Sequence, residues 1–422
     1  MKATPTTTTR RLPALDVLRG IAILGTLLTN IWIFSNAGMV IDGDDPTVLD
    51  EAGRITQLFD TALGLVTDGK FIGLLTIMFG IGLEIQRQAA LRRGQSWPGR
   101  YPWRAGILVL DGLLNYIFIF EFDVLMGYGL TALAVAAIMM TSPRAQKIWL
   151  VIGLIAHVVF TVLTTVVLDG PATYRKDEVV ERFVVEGREN IPALDGMGVG
   201  TDSYWAMVQH RLHTFLEGRA EIPIMFFMGL GLFLVGAHLY RAGIFEPAGR
   251  KLRRWTMLLS FGIGLPIDWT LRLFYADQAG GITRYITSSM VAFGVLAAVA
   301  AWYVHRSDPG PVGTGLSAVG RMALTCYIAQ NLIASIIFYD WGFGVAAKIA
   351  GPNMTWWTML IFAGIAAGLM VFSLLWLSRF RRGPVEWLWH QSFEGVGRLL
   401  DRRRARSTEP AKVDSTVGGP QA

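Results

Sequence analysis

Apolar residues in this chain gather in long runs, separated by short stretches of charged and small residues. A helix needs about 20 mainly apolar residues to cross a hydrocarbon core about 30 Å thick. Ten runs approach that length, near 17–33, 71–85, 103–120, 124–140, 148–168, 222–240, 255–274, 285–304, 318–339 and 356–377. They predict an all-α polytopic membrane helix bundle of about ten transmembrane helices, with residues 1–397 forming a single transmembrane domain. The second run is short and is expected to extend through Gln86 or to begin before Gly69. No internal repeat is visible in the sequence.

Two segments fall outside this pattern. Between Asp169 and Glu221 lies a long loop of mixed charge, in which Trp205, Val208, Leu212 and Phe215 recur at three- and four-residue spacing. That spacing predicts an amphipathic helix, and a helix lying at the membrane interface is favoured over a substrate lid. From residue 398 to 422 the chain carries Arg402, Arg403, Arg404 and Arg406, followed by Ser, Thr, Gly and Pro, and reads as a disordered basic tail against anionic lipid.

Composition agrees with a membrane solvent. Charged residues make up 17% of the chain, against about a quarter in soluble proteins. The net charge of +6 invites a nucleic-acid reading, but the placement of the basic residues excludes it. They cluster in alternate loops: Lys2, Arg10 and Arg11; then Arg87, Arg92, Arg93, Arg100 and Arg104; Arg144 and Lys147; Arg241, Arg250, Lys251, Arg253 and Arg254; then Arg306, Arg321 and the tail. The intervening loops hold Asp42, Asp44, Asp45, Asp50 and Glu51, and then Glu121 and Asp123. Cytoplasmic loops accumulate Lys and Arg, so both termini are expected in the cytoplasm. The first apolar run is too long for a cleavable signal and lacks a small-residue cleavage site, so Arg10–Arg11 is read as a topology anchor. The single cysteine, Cys326, has no partner for a disulfide or a thiolate metal site.

Ionisable and amide side chains inside apolar runs are costly and are the default functional candidates. In the first run Arg19, Thr26 and Asn30 are seven and eleven residues apart, so on a helix they fall within about 40° of one another and climb about 16 Å. Asp16 lies three residues before Arg19, within pairing reach. A snorkelling arginine with a counter-ion is the plain alternative. Asp111 and Asn115 share a face of the third run and are expected to point into the bundle. His157 shares a face with Thr161 and Thr164, an arrangement that more often ties helices together than catalyses. Asp268 follows Pro266 by two residues, where the missing backbone donor kinks a helix, opening a cavity or shaping the packing.

Soluble-enzyme motifs are absent: there is no P-loop, no HExxH, no GxSxG and no His or Cys cluster with metal spacing. GMGVG in the long loop is not followed by a βα unit, so it is not read as a nucleotide site. Other stretches are more informative. LDVLRGIAILGTLLTNI, GKFIGLLTIMFGIGLE, FDVLMGYGL, VGRMALTCYIAQN and GPVEWLW, in that order along the chain, resemble signatures of the bacterial YeiB-like proteins, the domain of unknown function 418 family. YeiB-like proteins are in turn similar to a wider transmembrane acyltransferase superfamily that includes the lysosomal heparan-glucosaminide acetyltransferases.

That resemblance implies a multi-pass protein of the plasma (inner) membrane that takes an acyl group from cytoplasmic acyl-CoA and delivers it to an acceptor at the outer face. It carries the superfamily's first-helix arginine and asparagine onto Arg19 and Asn30. Asp16, Arg19, Thr26, Asn30 and Arg321 are then the substrate-binding candidates. Two departures stand out. Ile41 occupies the position of the heparan-type catalytic histidine, and Cys326 stands where the family usually has asparagine. A general base must come from elsewhere, and Asp123, His157, Asp111 and Asp42 are the candidates. Two other function classes stay open: a small-molecule transporter, for which repeats and broken helices would be expected, and a non-catalytic scaffold docking through its basic tail. The partners expected are the lipid bilayer, acyl-CoA and an unidentified acceptor, without nucleic acid or metal.

Overall fold

The computed structural model describes residues 12–42, 53–168, 203–216, 219 and 221–407. Every regular element among them is helical: α1 (Pro13–Asp42), α2 (Arg54–Thr67), α3 (Lys70–Arg92), α4 (Tyr101–Phe118), α5 (Leu125–Ile138), α6 (Pro143–Leu163), α7 (Tyr204–His213), α8 (Glu221–Arg241), α9 (Arg250–Leu259), α10 (Leu265–Phe274), α11 (Ala276–Ile282), α12 (Ser288–Tyr303), α13 (Gly310–Arg321), α14 (Ala323–Phe338), α15 (Val345–Ile349), α16 (Met354–Arg379) and α17 (Pro384–Ser407). Among the described residues, seven stretches are long and apolar enough to cross a membrane: Pro13–Ser35, Arg54–Arg92, Pro143–Val166, Ile222–Arg241, Pro247–Phe274, Gln278–Tyr303 and Met354–Arg379. The pair α13 and α14 makes an eighth if it counts as one span, although the two meet at 90°.

Two of the ten expected runs are not in that set. Arg104, Asp111 and Asn115 interrupt the apolar face of α4. α5 has 14 residues, a rise of about 21 Å, short of the hydrocarbon thickness. Its shortness has a local cause. Phe120 and Asp123, in the turn before it, are buried, so the chain turns back beneath the end of the bundle. α7 lies across that end, held by Tyr204 Oη donating to the Phe118 carbonyl at 2.8 Å and by reciprocal bonds between Tyr116 and Arg211. It buries Met207, Val208 and Arg211 and exposes Trp205 and Leu212, so its inner face is rotated from the Trp205–Leu212 stripe expected of it. The second run does extend past Gln86, to Arg92. α2 occupies what reads in sequence as loop, and α17 continues through Ser407, into the segment expected to be disordered.

α1 runs through the middle of the bundle, against α3, α12, α13, α14 and α16. Its crossing with α13 is the tightest. A Cβ on Gly20 would fall 2.0 Å from the Leu316 carbonyl oxygen, and one on Gly320 would fall 1.9 Å from that of Asp16. Small residues at a crossing let helix backbones touch where lipid supplies no hydrophobic drive. This contact sets Asp16 and Arg19 beside Arg321.

The chain breaks between Arg321 and Met322, inside the expected 318–339 span. Glu386, from the start of α17, caps the new helix: its carboxylate accepts the N–H groups of Leu324 at 2.8 Å and Thr325 at 3.1 Å, and the Thr325 hydroxyl. An acidic side chain at a helix N-terminus satisfies donors that the helix cannot. The Pro266 distortion is also present, as a π-turn over Ser260–Gly264 just ahead of α10. It shapes packing: Asp268 meets Lys70 Nζ at 2.7 Å and Arg272 Nε at 3.2 Å.

Candidate functional site

A pocket of about 520 Å³ opens at the end of the bundle where α1 starts, α3 stops and α4 starts. Arg19, Arg104, Arg321 and Arg382 all line it, from α1, α4, α13 and the link between α16 and α17. Deeper in, the lining becomes apolar, with Ile23, Leu75, Met78, Phe79, Leu108 and Leu125. Gln86 and Leu75, both on its α3 wall, are eleven residues apart, so the pocket reaches about 16 Å along that helix. Its size is that of a small-molecule or cofactor site.

The acidic groups near the mouth are already engaged. Asp16 is buried and lies 3.5 Å from Arg19 Nη1. Glu386 caps α14, and Glu394 pairs with His390 at 2.7 Å. Arg104 lies 5.9 Å from the centre of the Phe393 ring. Four guanidiniums around an opening, with Glu386 turned to a helix terminus, leave a site suited to a multiply charged anion.

At the deep end Tyr327, one turn into α14, lines the pocket and donates from Oη to Asp123 Oδ1 at 3.2 Å. Asn115 Nδ2 donates to the same oxygen at 2.8 Å. Asp123 Oδ2 accepts the first N–H groups of α5, from Leu125 at 2.9 Å and Met126 at 3.3 Å. Arg219 closes over the turn from the α7 side, donating to the Asp123 carbonyl at 2.9 Å. A buried carboxylate is tolerable when its lone pairs are filled, and these contacts fill them.

The structure gathers only part of the expected site. Arg19 and Arg321 line the pocket, with Asp16 behind Arg19, and Asp123 reaches the wall through Tyr327. Thr26 and Asn30 are buried but are not among its lining residues; the Thr26 hydroxyl turns back to the Ala22 carbonyl at 2.7 Å. The expected polar stripe therefore ends, as a cavity wall, at Ile23. Asp111 is half-buried and accepts a hydrogen bond from Trp389 Nε1, tying α17 to α4. His157 is buried elsewhere, its Nε2 3.2 Å from the Tyr285 carbonyl and its Nδ1 3.4 Å from Thr161 Oγ1, which joins α6 to the π-turn at Thr283–Thr287. The Asp42 side chain lies outside the described residues. Arg104, Arg382 and Tyr327 also enter the site; in the sequence Arg104 counts only as a topology charge, and Arg382 and Tyr327 have no assigned role.

One further signal was present in the resemblance without a role attached. Residues of VGRMALTCYIAQN start α14, and GPVEWLW supplies Glu386 and Trp389. These two stretches, about 60 residues apart, meet through the Glu386 cap. Cys326 lies behind them, its sulfur 3.3 Å from the Ser373 hydroxyl.

Residues 239–395 match the family described as "Protein of unknown function (DUF418)", a stretch that supplies the α13, α14 and α17 walls of the pocket. The comparisons support a YeiB-like protein. "Uncharacterized protein YxaH" of Bacillus subtilis (strain 168) is 27% identical over 408 residues, covering 92% of this chain and 95% of that relative. "Uncharacterized protein YeiB" of Escherichia coli (strain K12) is 27% identical over 403 residues, covering 89% and 94%. No solved structure matches. The apolar helices among the described residues support a membrane protein.

Proposed function

We propose that this chain is a plasma-membrane acyltransferase crossing the bilayer ten times with both termini in the cytoplasm. It takes an acyl group from acyl-CoA in the basic-mouthed pocket and passes it to an acceptor that reaches the pocket floor from the opposite face. The topology rests on the alternating Lys and Arg clusters, with α4 and the short α5 completing the count around the sunken turn.

The observation that carries the reading is the gradient within one pocket. Four arginines surround the mouth, apolar walls follow, and a tyrosine backed by a carboxylate closes the floor. Acyl-CoA has the same order of chemistry. Its phosphates suit guanidiniums, which bind them with planar, paired hydrogen bonds; its pantetheine arm and acyl group suit the apolar walls. Arginines around an open mouth also steer an anion from solution. Ile41 carries no base, so proton removal in this chain falls to the Asp123 end of the pocket.

The test is reconstituted protein supplied with radiolabelled acetyl-CoA on the basic face. Acyl transfer to protein or to an added hydroxyl- or amine-bearing lipid supports the enzyme, and absence of both binding and transfer removes it. One observation favours a second reading, a transporter: the 90° break between α13 and α14 resembles the discontinuous helices that build transport sites. Uptake of a solute into proteoliposomes without thioester turnover would decide for it.

A further inference from the structure

We propose that Tyr327 is the catalytic proton carrier at the pocket floor, passing the acceptor's proton to Asp123; this rests on the acyl-transfer reading. Three features of the geometry support it. Tyr327 is among the residues lining the pocket, and its hydroxyl donates to Asp123 Oδ1 at 3.2 Å. Asp123 is held independently of Tyr327 by Asn115 at 2.8 Å and by the α5 amides at 2.9 and 3.3 Å, so its position does not depend on the residue it would serve. The pair also lies deep. Asn115 is eleven residues along α4 from Arg104 of the mouth, about 16 Å, so phosphates held at the arginines would leave the thioester end of the donor at the floor.

The step balances without another reactant. The acceptor's oxygen or nitrogen attacks the thioester carbonyl carbon and loses its proton to Tyr327 Oη, as the phenolic proton moves to Asp123 Oδ1. The new C–O or C–N bond forms, the C–S bond breaks, and its electron pair leaves on the coenzyme A sulfur. The proton then returns from Asp123 through Tyr327 to that thiolate. The products are the acylated acceptor and coenzyme A, with Tyr327 and Asp123 restored. The phenol touches the reacting atoms, whereas Asp123 acts through it; Asn115 is a positioning residue. A purely structural Tyr327 would only tie α14 to the α4–α5 turn.

The experiment uses the full chain in detergent, with water as the acceptor, so that the natural acceptor need not be known. Two quantities are measured across pH: equilibrium binding of acetyl-CoA, and release of coenzyme A thiol. The wild type is expected to bind and slowly release. Tyr327→Phe and Asp123→Asn are expected to bind within about twofold of wild type and to release at least about a hundredfold more slowly, the scale of a lost general base. Replacing Tyr327 by difluorotyrosine, whose phenol is more acidic, leaves the fold untouched and is expected to move the pH profile of release to lower pH. Release by Tyr327→Phe within threefold of wild type, or an unmoved profile with difluorotyrosine, would overturn the proposal. Binding without any release by the wild type would also overturn it while leaving the donor site standing. Absence of binding would instead remove the acyl-CoA reading itself, and the carrier with it.

Discussion

Separating Lys70 from Asp268 should cost this protein more than any surface ion pair would. The pair joins the start of α3 to α10, with 2.7 Å between Nζ and Oδ2 and the two side chains 5% and 0% exposed. Removing one partner of a buried pair leaves the other charge without compensation, at about 3–5 kcal/mol. The two sides are not equivalent. In Lys70→Met, Asp268 keeps Arg272 at 3.2 Å and the Thr287 hydroxyl at 2.5 Å, so the loss should sit at or below the low end, about 2–3 kcal/mol. In Asp268→Asn, Lys70 loses the carboxylate charge 2.7 Å away and keeps a 3.4 Å contact to the Asp68 carbonyl and the more distant Asp68 charge, while Arg272 still has Asp68, the Thr283 carbonyl and Ser288. That loss should reach the high end, about 4–5 kcal/mol. The double variant should cost less than the sum by about 0.5–3 kcal/mol, since no charge is then stranded. Unfolding by denaturant in a fixed detergent, followed for all four proteins of the cycle, measures this directly. Single losses below about 1 kcal/mol, or strictly additive ones, would refute the view that this pair is buried and mutually dependent.

Glu386→Gln should weaken the cap of α14 by about 1–2 kcal/mol and loosen α17 from the pocket wall, seen as faster hydrogen exchange at Leu324 and Thr325; unchanged exchange there would refute the cap. Asn331 is fully buried with neither side-chain polar atom hydrogen-bonded, so Asn331→Leu should raise stability by about 1–3 kcal/mol, and a fall in denaturant midpoint would show that a partner is being lost. Reporter fusions after Gly170 and Asp277 should read external and those after Arg93, Arg250 and the tail cytoplasmic; one swapped reading ends the ten-span topology.

Features written into a single stretch of sequence were legible in it. Apolar runs of membrane length placed α1, α3, α6, α8 and α16, and the three-residue spacing of Asp16 and Arg19 gave their contact, because both depend on local periodicity alone. Features decided by distant residues were not. The break at Met322 follows no proline, and its new helix end is capped by Glu386, about 60 residues away in the chain. α5 looks long enough until the burial of Phe120 and Asp123 shows the turn before it sunk in the bundle. Arg104 was legible as a topology charge and Arg382 carried no signal of its own, and only the meeting of α4 and α17 turns them into a ring with Arg19 and Arg321. Thr26 illustrates the opposite error: helical spacing put it on the face of Arg19, and its hydroxyl spent itself on its own backbone, as Thr in a membrane helix commonly does.

Whether the arginine-ringed pocket holds an acyl-CoA is tested by equilibrium binding of acetyl-CoA to wild type, Arg19→Lys and Arg19→Ala, each confirmed to be folded and inserted. Lysine keeps the charge and loses the planar pair of donors. Wild type is expected to bind, with affinity about tenfold or more weaker in Arg19→Lys, the effect of roughly one lost charge-assisted hydrogen bond, and binding abolished in Arg19→Ala. Equal affinity in all three proteins would make Arg19 a membrane anchor and rule out an acyl-CoA site built on it.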